Sequence, residues 1–127
     1  MKFRHIIILG FIISLLGCST LNPITTTGFY KRGIANYNSE NYDDAIRDFT
    51  QVISKKPNDS EVYNMRGLSY YHKGDLDNAI MDFEAALRLR PFDTSIRNYL
   101  DYARQRLADQ SNQQIVNTPN TPQSPSQ

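Results

Sequence analysis

The chain repeats itself with a period of 34 residues, and no other feature narrows the possible folds so far. Displaced by 34, Gly33 falls on Gly67, Tyr37 on Tyr71 and Asp43 on Asp77. Ala45-Ile46 meets Ala79-Ile80, Asp48-Phe49 meets Asp82-Phe83, and Pro57 meets Pro91. Arg32 and Arg66 agree, as do Asp59 and Asp93, while Phe29 and Tyr63 match in kind. The alignment needs no insertion. A fixed period of this length implies units that bury their apolar faces on their neighbours.

Each unit reads as a pair of helices. Phe29, Gly33 and Asn36-Tyr37 recur at helical spacing, and so do Tyr63, Gly67 and Tyr70-Tyr71. Ala45, Ile46, Phe49, Val52 and Ile53 form one further stripe; Ala79, Ile80, Phe83, Ala86 and Leu87 form another. Glycine inside a helix costs up to about 1 kcal/mol, so Gly33 and Gly67 imply close helix approach. Asn41 to Asp43 and Gly74 to Asp77 supply turn and N-cap chemistry, and Pro57 and Pro91 stop the second helices.

These residues at this period resemble the tetratricopeptide repeat (TPR). The stretch YNMRGLSYYHKGDLDNAIMDFEAALRLRP, Tyr63 to Pro91, follows the family pattern over a whole unit. The first unit departs at Asn36, where a large apolar residue is usual, and at Glu40, where glycine is usual. Asn36 is expected to loosen the first helix pair. The resemblance implies an all-α fold: an α-α superhelix, or solenoid, of two helix hairpins over 26–59 and 60–93. Ile96, Leu100, Ala103 and Leu107 then mark a capping helix over 94–109 that covers the open apolar face. Residues 110–127 carry no charge and three prolines, and are expected to be disordered. An array this small is marginal, and self-association into a homo-oligomer or a bound partner is a source of further interface.

The N-terminus has a separate logic. Lys2 and Arg4 precede an apolar run from Ile6 to Leu16, whose eleven residues span roughly 16 Å of helix, about half a bilayer core. That is the layout of a secretory signal peptide. Leu15-Leu16-Gly17-Cys18 resembles the lipobox of bacterial lipoproteins. The resemblance implies cleavage after Gly17, a diacylglyceryl group on the Cys18 sulfur and further acylation (palmitate among the usual chains) of the new N-terminus. A plain signal peptide with an incidental cysteine is the competing reading. Cys18 is the only cysteine, so no intramolecular disulfide is possible. Residues 1–17 are thus the expected signal and 18–25 a tether. Ser19 is compatible, under the enterobacterial sorting rule, with passage to the outer membrane and a periplasm-facing domain.

Removing Lys2 and Arg4 leaves 12 basic against 13 acidic residues, a net charge of −1. That balance lacks the basic field of a nucleic-acid binder. No catalytic constellation, metal site or cofactor motif stands out. His72 is the one histidine beyond the signal, too few for zinc, and Asp43-Asp44 and Asp75/Asp77 sit at helix starts, where the helix dipole accounts for them. Antiparallel packing of Gly33 on Phe49 places Arg32 near Asp48 and Arg66 near Asp82. A partly exposed structural ion pair, worth about 0–1 kcal/mol, competes there with a ligand-binding arginine.

In TPR proteins the first helices form a concave face that binds polypeptide. The matching positions here are Tyr30, Ile34, Tyr37 and Asn38, then Asn64, Leu68, Tyr71 and His72, with Asn98, Tyr102 and Gln105 extending the face. Tyrosines among asparagines suit aromatic anchoring and backbone hydrogen bonds, although Tyr37 and Tyr71 are equally suited to inter-helix core. Tyr30 and Ile34 stand where some TPR domains hold a Lys/Arg/Asn carboxylate clamp, so recognition of a free C-terminal acid by that mode is not expected. The chain therefore reads as a lipid-anchored interaction module of the envelope, of the kind serving pilus or secretin assembly or tethering peptidoglycan enzymes. An enzyme or glycan-binding lipoprotein is the alternative.

Overall fold

The computed structural model describes residues 25–117. The signal segment 1–17, Cys18 with residues 19–24 of the tether, and residues 118–127 lie outside the described residues. Among the described residues five α-helices follow one another: α1 Thr26–Asn38, α2 Tyr42–Lys55, α3 Ser60–Lys73, α4 Leu76–Leu89 and α5 Thr94–Asn117. Among the described residues none is long and apolar enough to cross a membrane.

The 34-residue register is visible in the helix starts. Thr25, Asp59 and Asp93, each 34 apart, precede α1, α3 and α5. Thr25 Oγ1 accepts from the Gly28 amide at 3.1 Å, Asp59 Oδ1 from Glu61 at 3.2 Å, and Asp93 Oδ1 from Ser95 at 3.1 Å and Ile96 at 3.2 Å. Each satisfies donors that the first helical turn leaves unpaired. Asp75 caps α4 in the same way, accepting from the Asn78 amide at 3.3 Å, whereas Asn41 ahead of α2 makes no side-chain cap bond.

The two hairpins pack through matched contacts. Phe49 and Phe83 are wholly buried, and each lies over the glycine expected to receive it. A Cβ on Gly33 would come within 2.8 Å of Phe49, and one on Gly67 within 2.9 Å of Phe83. Ala45, Phe49, Val52 and Val62 make one core cluster. Ala79, Phe83, Ala86, Ile96, Leu100 and Ala103 make the next. Val62 belongs to α3 yet completes the first cluster, while Ile96, Leu100 and Ala103 bring α5 onto the second. The result is the all-α TPR-type stack that the repeat implies.

Two expectations are corrected. Asn36 does not leave a gap: its Nδ2 donates to Asp48 Oδ2 at 3.0 Å, so a polar contact stands where an apolar one is usual. The last helix does not stop at Asp109. Gln110 to Asn117 continue α5, so the expected disordered tail begins as helix. No glycine or proline interrupts the chain between Asp93 and Pro119, and the residue before a proline is driven out of helical geometry. The helix is described as far as Asn117, and Pro119 sets a limit on how far it can run. Side chains from Ala108 to Gln114 are exposed, so this extension adds length and no core.

Candidate protein-binding face

The first helices lie side by side, α1 against α3 and α3 against α5, and together form one face of the stack. Three aromatic groups and a cation run across it. Tyr37 of α1 meets His72 of α3 edge-on, with ring centres 5.7 Å apart. His72 meets Tyr71 edge-on at 5.6 Å, and the Arg106 guanidinium of α5 lies 5.1 Å from the Tyr71 ring centre. Tyr42, at the start of α2, stacks on His72 at 5.4 Å and 13°, and also meets Tyr37 edge-on. Burial is the main reason the Tyr37 hydroxyl is held above its ordinary pKa, with Tyr42 and Tyr99 adding to it.

The expected site residues do not all serve the face in the same way. Tyr37, Tyr71 and His72 come together in this run. Both tyrosines are half-buried and also pack on the core clusters, so each serves the core and the face at once. Ile34 and Leu68 are half-buried against those clusters, leaving partial apolar surface on the face. Asn38 is exposed, and Asn64 is half-buried with an enclosed Oδ1 that has no hydrogen-bond partner. Tyr30 is committed elsewhere: its hydroxyl donates to Glu61 Oε1 at 2.7 Å and its ring meets Phe49 edge-on. Burial, with Glu61 and Asp59 adding to it, pushes the Tyr30 hydroxyl up to about 12. Tyr102, four residues before Arg106 on α5, is 60 % exposed.

Tyr42 and Arg106 were not among the expected site residues. Arg106 carried a signal, because it falls 34 residues after His72 and 68 after Asn38. Tyr42 carried none, since its stacking depends on how the turn after α1 directs the next helix.

Behind the face, one Arg–Asp fork locks each hairpin. Arg32 Nε donates to Asp48 Oδ2 at 2.8 Å, and Arg66 donates through Nε at 2.7 Å and Nη2 at 2.8 Å to Asp82. The expected pairing is present, but the carboxylates are buried rather than partly exposed, at 3 % for Asp48 and 6 % for Asp82. The Asp82 bonds hold the Arg66 guanidinium above its ordinary value, and burial pushes the Asp82 carboxyl up against that pull. A fork that occupies both Asp82 oxygens is a carboxylate geometry, so the pair is ionised. Arg66 also donates to Thr50 Oγ1 of the preceding hairpin at 3.0 Å, which joins the repeats. With each of its three guanidinium nitrogens bonded within its own chain, this arginine serves structure rather than ligand.

Among the described residues no group of three His, Cys, Asp or Glu side chains converges to hold a metal. A cleft of about 620 Å³ lies away from the aromatic face, between the α2–α3 loop and the end of α4.

The tetratricopeptide repeat profile matches residues 30–94, half of the chain. The chain belongs to the tetratricopeptide repeat family. A search of curated proteins returned no match. Among solved structures, this TPR chain is similar to a mutant of MamA, at 22% identity and a TM-score of 0.65 over 68% of this chain and 48% of that one. It is also similar to the first TPR of Spaghetti (RPAP3), solved with an HSP90 peptide, at 23% identity and a TM-score of 0.64 over 68% of each chain. The chain thus spans about half the length of the MamA structure. At these identities the likeness is one of fold.

Proposed function

We propose that this TPR chain is a protein–protein interaction module held at a bacterial envelope by lipid on Cys18, with its domain facing the periplasm. The observation that carries the binding role is the run Tyr37–His72–Tyr71–Arg106 across α1, α3 and α5. Aromatic rings with one exposed side give large contact area at small entropic cost, which is the anchor chemistry of polypeptide interfaces. Asn64 adds a carbonyl oxygen with no partner in the free protein, suited to a peptide N–H once the side chain turns outward. The peptide held by the RPAP3 repeat supports a peptide or protein as ligand. The lipid anchor is supported by the Leu15-Leu16-Gly17-Cys18 tetrapeptide behind a short apolar run. Within the envelope, the role is that of an adaptor or assembly factor, of the type serving pilus or secretin assembly or holding a peptidoglycan enzyme in place.

Site-specific photo-crosslinking tests the face. A benzophenone amino acid at Tyr102 or His72 is expected to trap one defined polypeptide in living cells, while the same group at exposed Met81 of α4 traps none. Equal adducts at Met81, or none at the other two, sink the assignment. Fatty-acid labelling of wild type and Cys18→Ser tests the anchor separately: the label must vanish in the variant.

A further inference from the structure

The helix ends that receive the chain from its N-terminus form an edge of distinct chemistry. One cleft is lined by Thr26, Thr27, Lys56, Asp59 and Glu61; the next shares Lys56 and continues to Leu89 and Arg90; a third runs from Arg90 to Phe92. These shared residues make a continuous edge from the start of α1 to the loop before α5. Phe92 stands on it 93 % exposed, the most exposed large apolar residue described, and Leu89 beside it is 38 % exposed.

The charge on this edge is lopsided. Lys55, Lys56, Arg88 and Arg90 are exposed, and Arg97 joins them by donating to the Pro91 carbonyl at 2.7 Å. The carboxylates among them are fewer and have partners: Asp59 and Asp93 cap helices, Asp93 also pairs with Arg90 at 3.6 Å, and Glu61 accepts from Tyr30. The opposite edge has the reverse balance. Glu40, Asp43, Asp44, Asp75 and Asp77 stand there with Arg47 and Lys73, which are already paired with Asp44 and Asp43, and with Arg106, which donates to the Tyr71 carbonyl at the end of α3. Cations at the ends of α2 and α4 complement the helix dipoles, but the dipole gives no reason for Phe92.

The geometry points to an anionic lipid surface as the occupant of the Phe92 edge. An exposed aromatic ring flanked by long cationic side chains is the pattern that seats a protein at the headgroup boundary. The position of the chain terminus agrees. Six residues separate Cys18 from Thr25, and the seven steps between them limit the reach of the tether to about 25 Å even when fully extended. This inference rests on the lipid anchor proposed above for its orientation, and its edge chemistry stands apart from it. Seated this way, the stack keeps its acidic edge outward and its aromatic face, built from helix sides, open to a polypeptide.

The chain has no tryptophan, so Phe92→Trp places a single reporter at a position where nothing packs against it. The full chain is reconstituted in phosphatidylcholine vesicles with about one-third phosphatidylglycerol, and Asp77→Trp on the opposite edge is the control. Trp at 92 is expected to shift to the blue and to be quenched by brominated acyl chains, while Trp at 77 is not. Adding Lys56→Ala and Arg88→Ala weakens the quenching, each lost cation lowering surface attraction about fivefold. Equal quenching at the two positions, or none at 92, overturns the inference. A blue shift at 92 that rises with protein concentration in the absence of vesicles also overturns it, because a second copy then covers the ring. Fatty-acid labelling of Cys18 in the same preparation separates the two claims. Labelled protein with an unquenched Trp at 92 removes the edge and keeps the anchor; unlabelled protein with a quenched Trp keeps the edge alone.

Discussion

Glu40 and Gly74 occupy the same place in the two repeats, and both have left-handed backbone, with φ of 60° and 91°. For a residue with a Cβ that geometry costs roughly 1–2 kcal/mol, whereas glycine adopts it freely. Glycine in turn loses about 0.5–1 kcal/mol through its freedom in the unfolded chain. The first effect is larger, and the Glu40 side chain is exposed with no partner to lose. Glu40→Gly is therefore expected to stabilise the domain by about 0.5–1 kcal/mol, read as a higher urea midpoint at unchanged m-value. Tyr30 makes a second residue-level case. Its hydroxyl ionises near 12 in the folded protein against 10.0 in an unperturbed chain, because burial and Glu61 oppose a phenolate. A raised folded value favours the folded state fully below the unfolded value and loses that contribution as pH climbs through the folded one. Stability linked to Tyr30 is thus present below pH 10 and disappears as pH rises toward about 12. Tyr30→Phe is expected to flatten the stability curve in that window, and tyrosinate absorbance should lose one of its last-titrating groups.

At the level of the helix, the close approach of each pair rests on a missing methyl group. Intrinsic propensity alone says that Gly67→Ala helps α3 by up to about 1 kcal/mol. The new Cβ, however, would stand 2.9 Å from Phe83 Cε1 and 3.2 Å from Asp82 Cβ, and Phe83 is wholly enclosed. Overpacking of this kind costs typically 1–3 kcal/mol, so the net change is expected to be a loss of about 1–2 kcal/mol. A gain in midpoint would mean that α3 and α4 pack less tightly than described. Much of this packing is legible in the sequence, because one substitution-tolerant surface cannot hide a glycine repeated opposite a phenylalanine. The Arg–Asp forks are legible for the same reason: fixing Gly33 on Phe49 fixes what lies beside them. What is not legible depends on side-chain direction. Whether Asn36 opens a gap or reaches Asp48, and whether Tyr42 turns toward His72, is decided by rotamers that no spacing records. The end of α5 lies between these cases. Its last turns lack apolar periodicity, so the hydrophobic pattern missed them, yet no glycine or proline interrupts the sequence there.

Across the whole molecule, stability depends on how well one hairpin is coupled to the next. In a linear stack each unit contributes its own stability and an interface term with its neighbour, and the interface keeps the unfolding cooperative. Several contacts cross between the hairpins: Val62 of α3 sits inside the first core cluster with Met65 packed against it, Arg66 reaches Thr50, Tyr30 reaches Glu61, Lys73 pairs with Asp43, and His72 meets Tyr37 and Tyr42. The polar contacts lie at exposed positions, so fully buried Val62 is the main coupling. Val62 is 1 % exposed, and its loss empties a space bounded by Ala45, Phe49 and Val52. Val62→Ala is expected to cost about 2 kcal/mol, in the lower range for truncating a buried aliphatic side chain. The cost falls unequally. The second hairpin keeps α5 as its cap, through Ile96, Leu100 and Ala103, while the first has only α3 to lean on. Amide protons of α1 and α2 should therefore lose protection before those of α4 in the variant, where the wild type exchanges them together. If protection falls evenly along the stack, the hairpins are joined by something other than Val62, and the stack unfolds as one block.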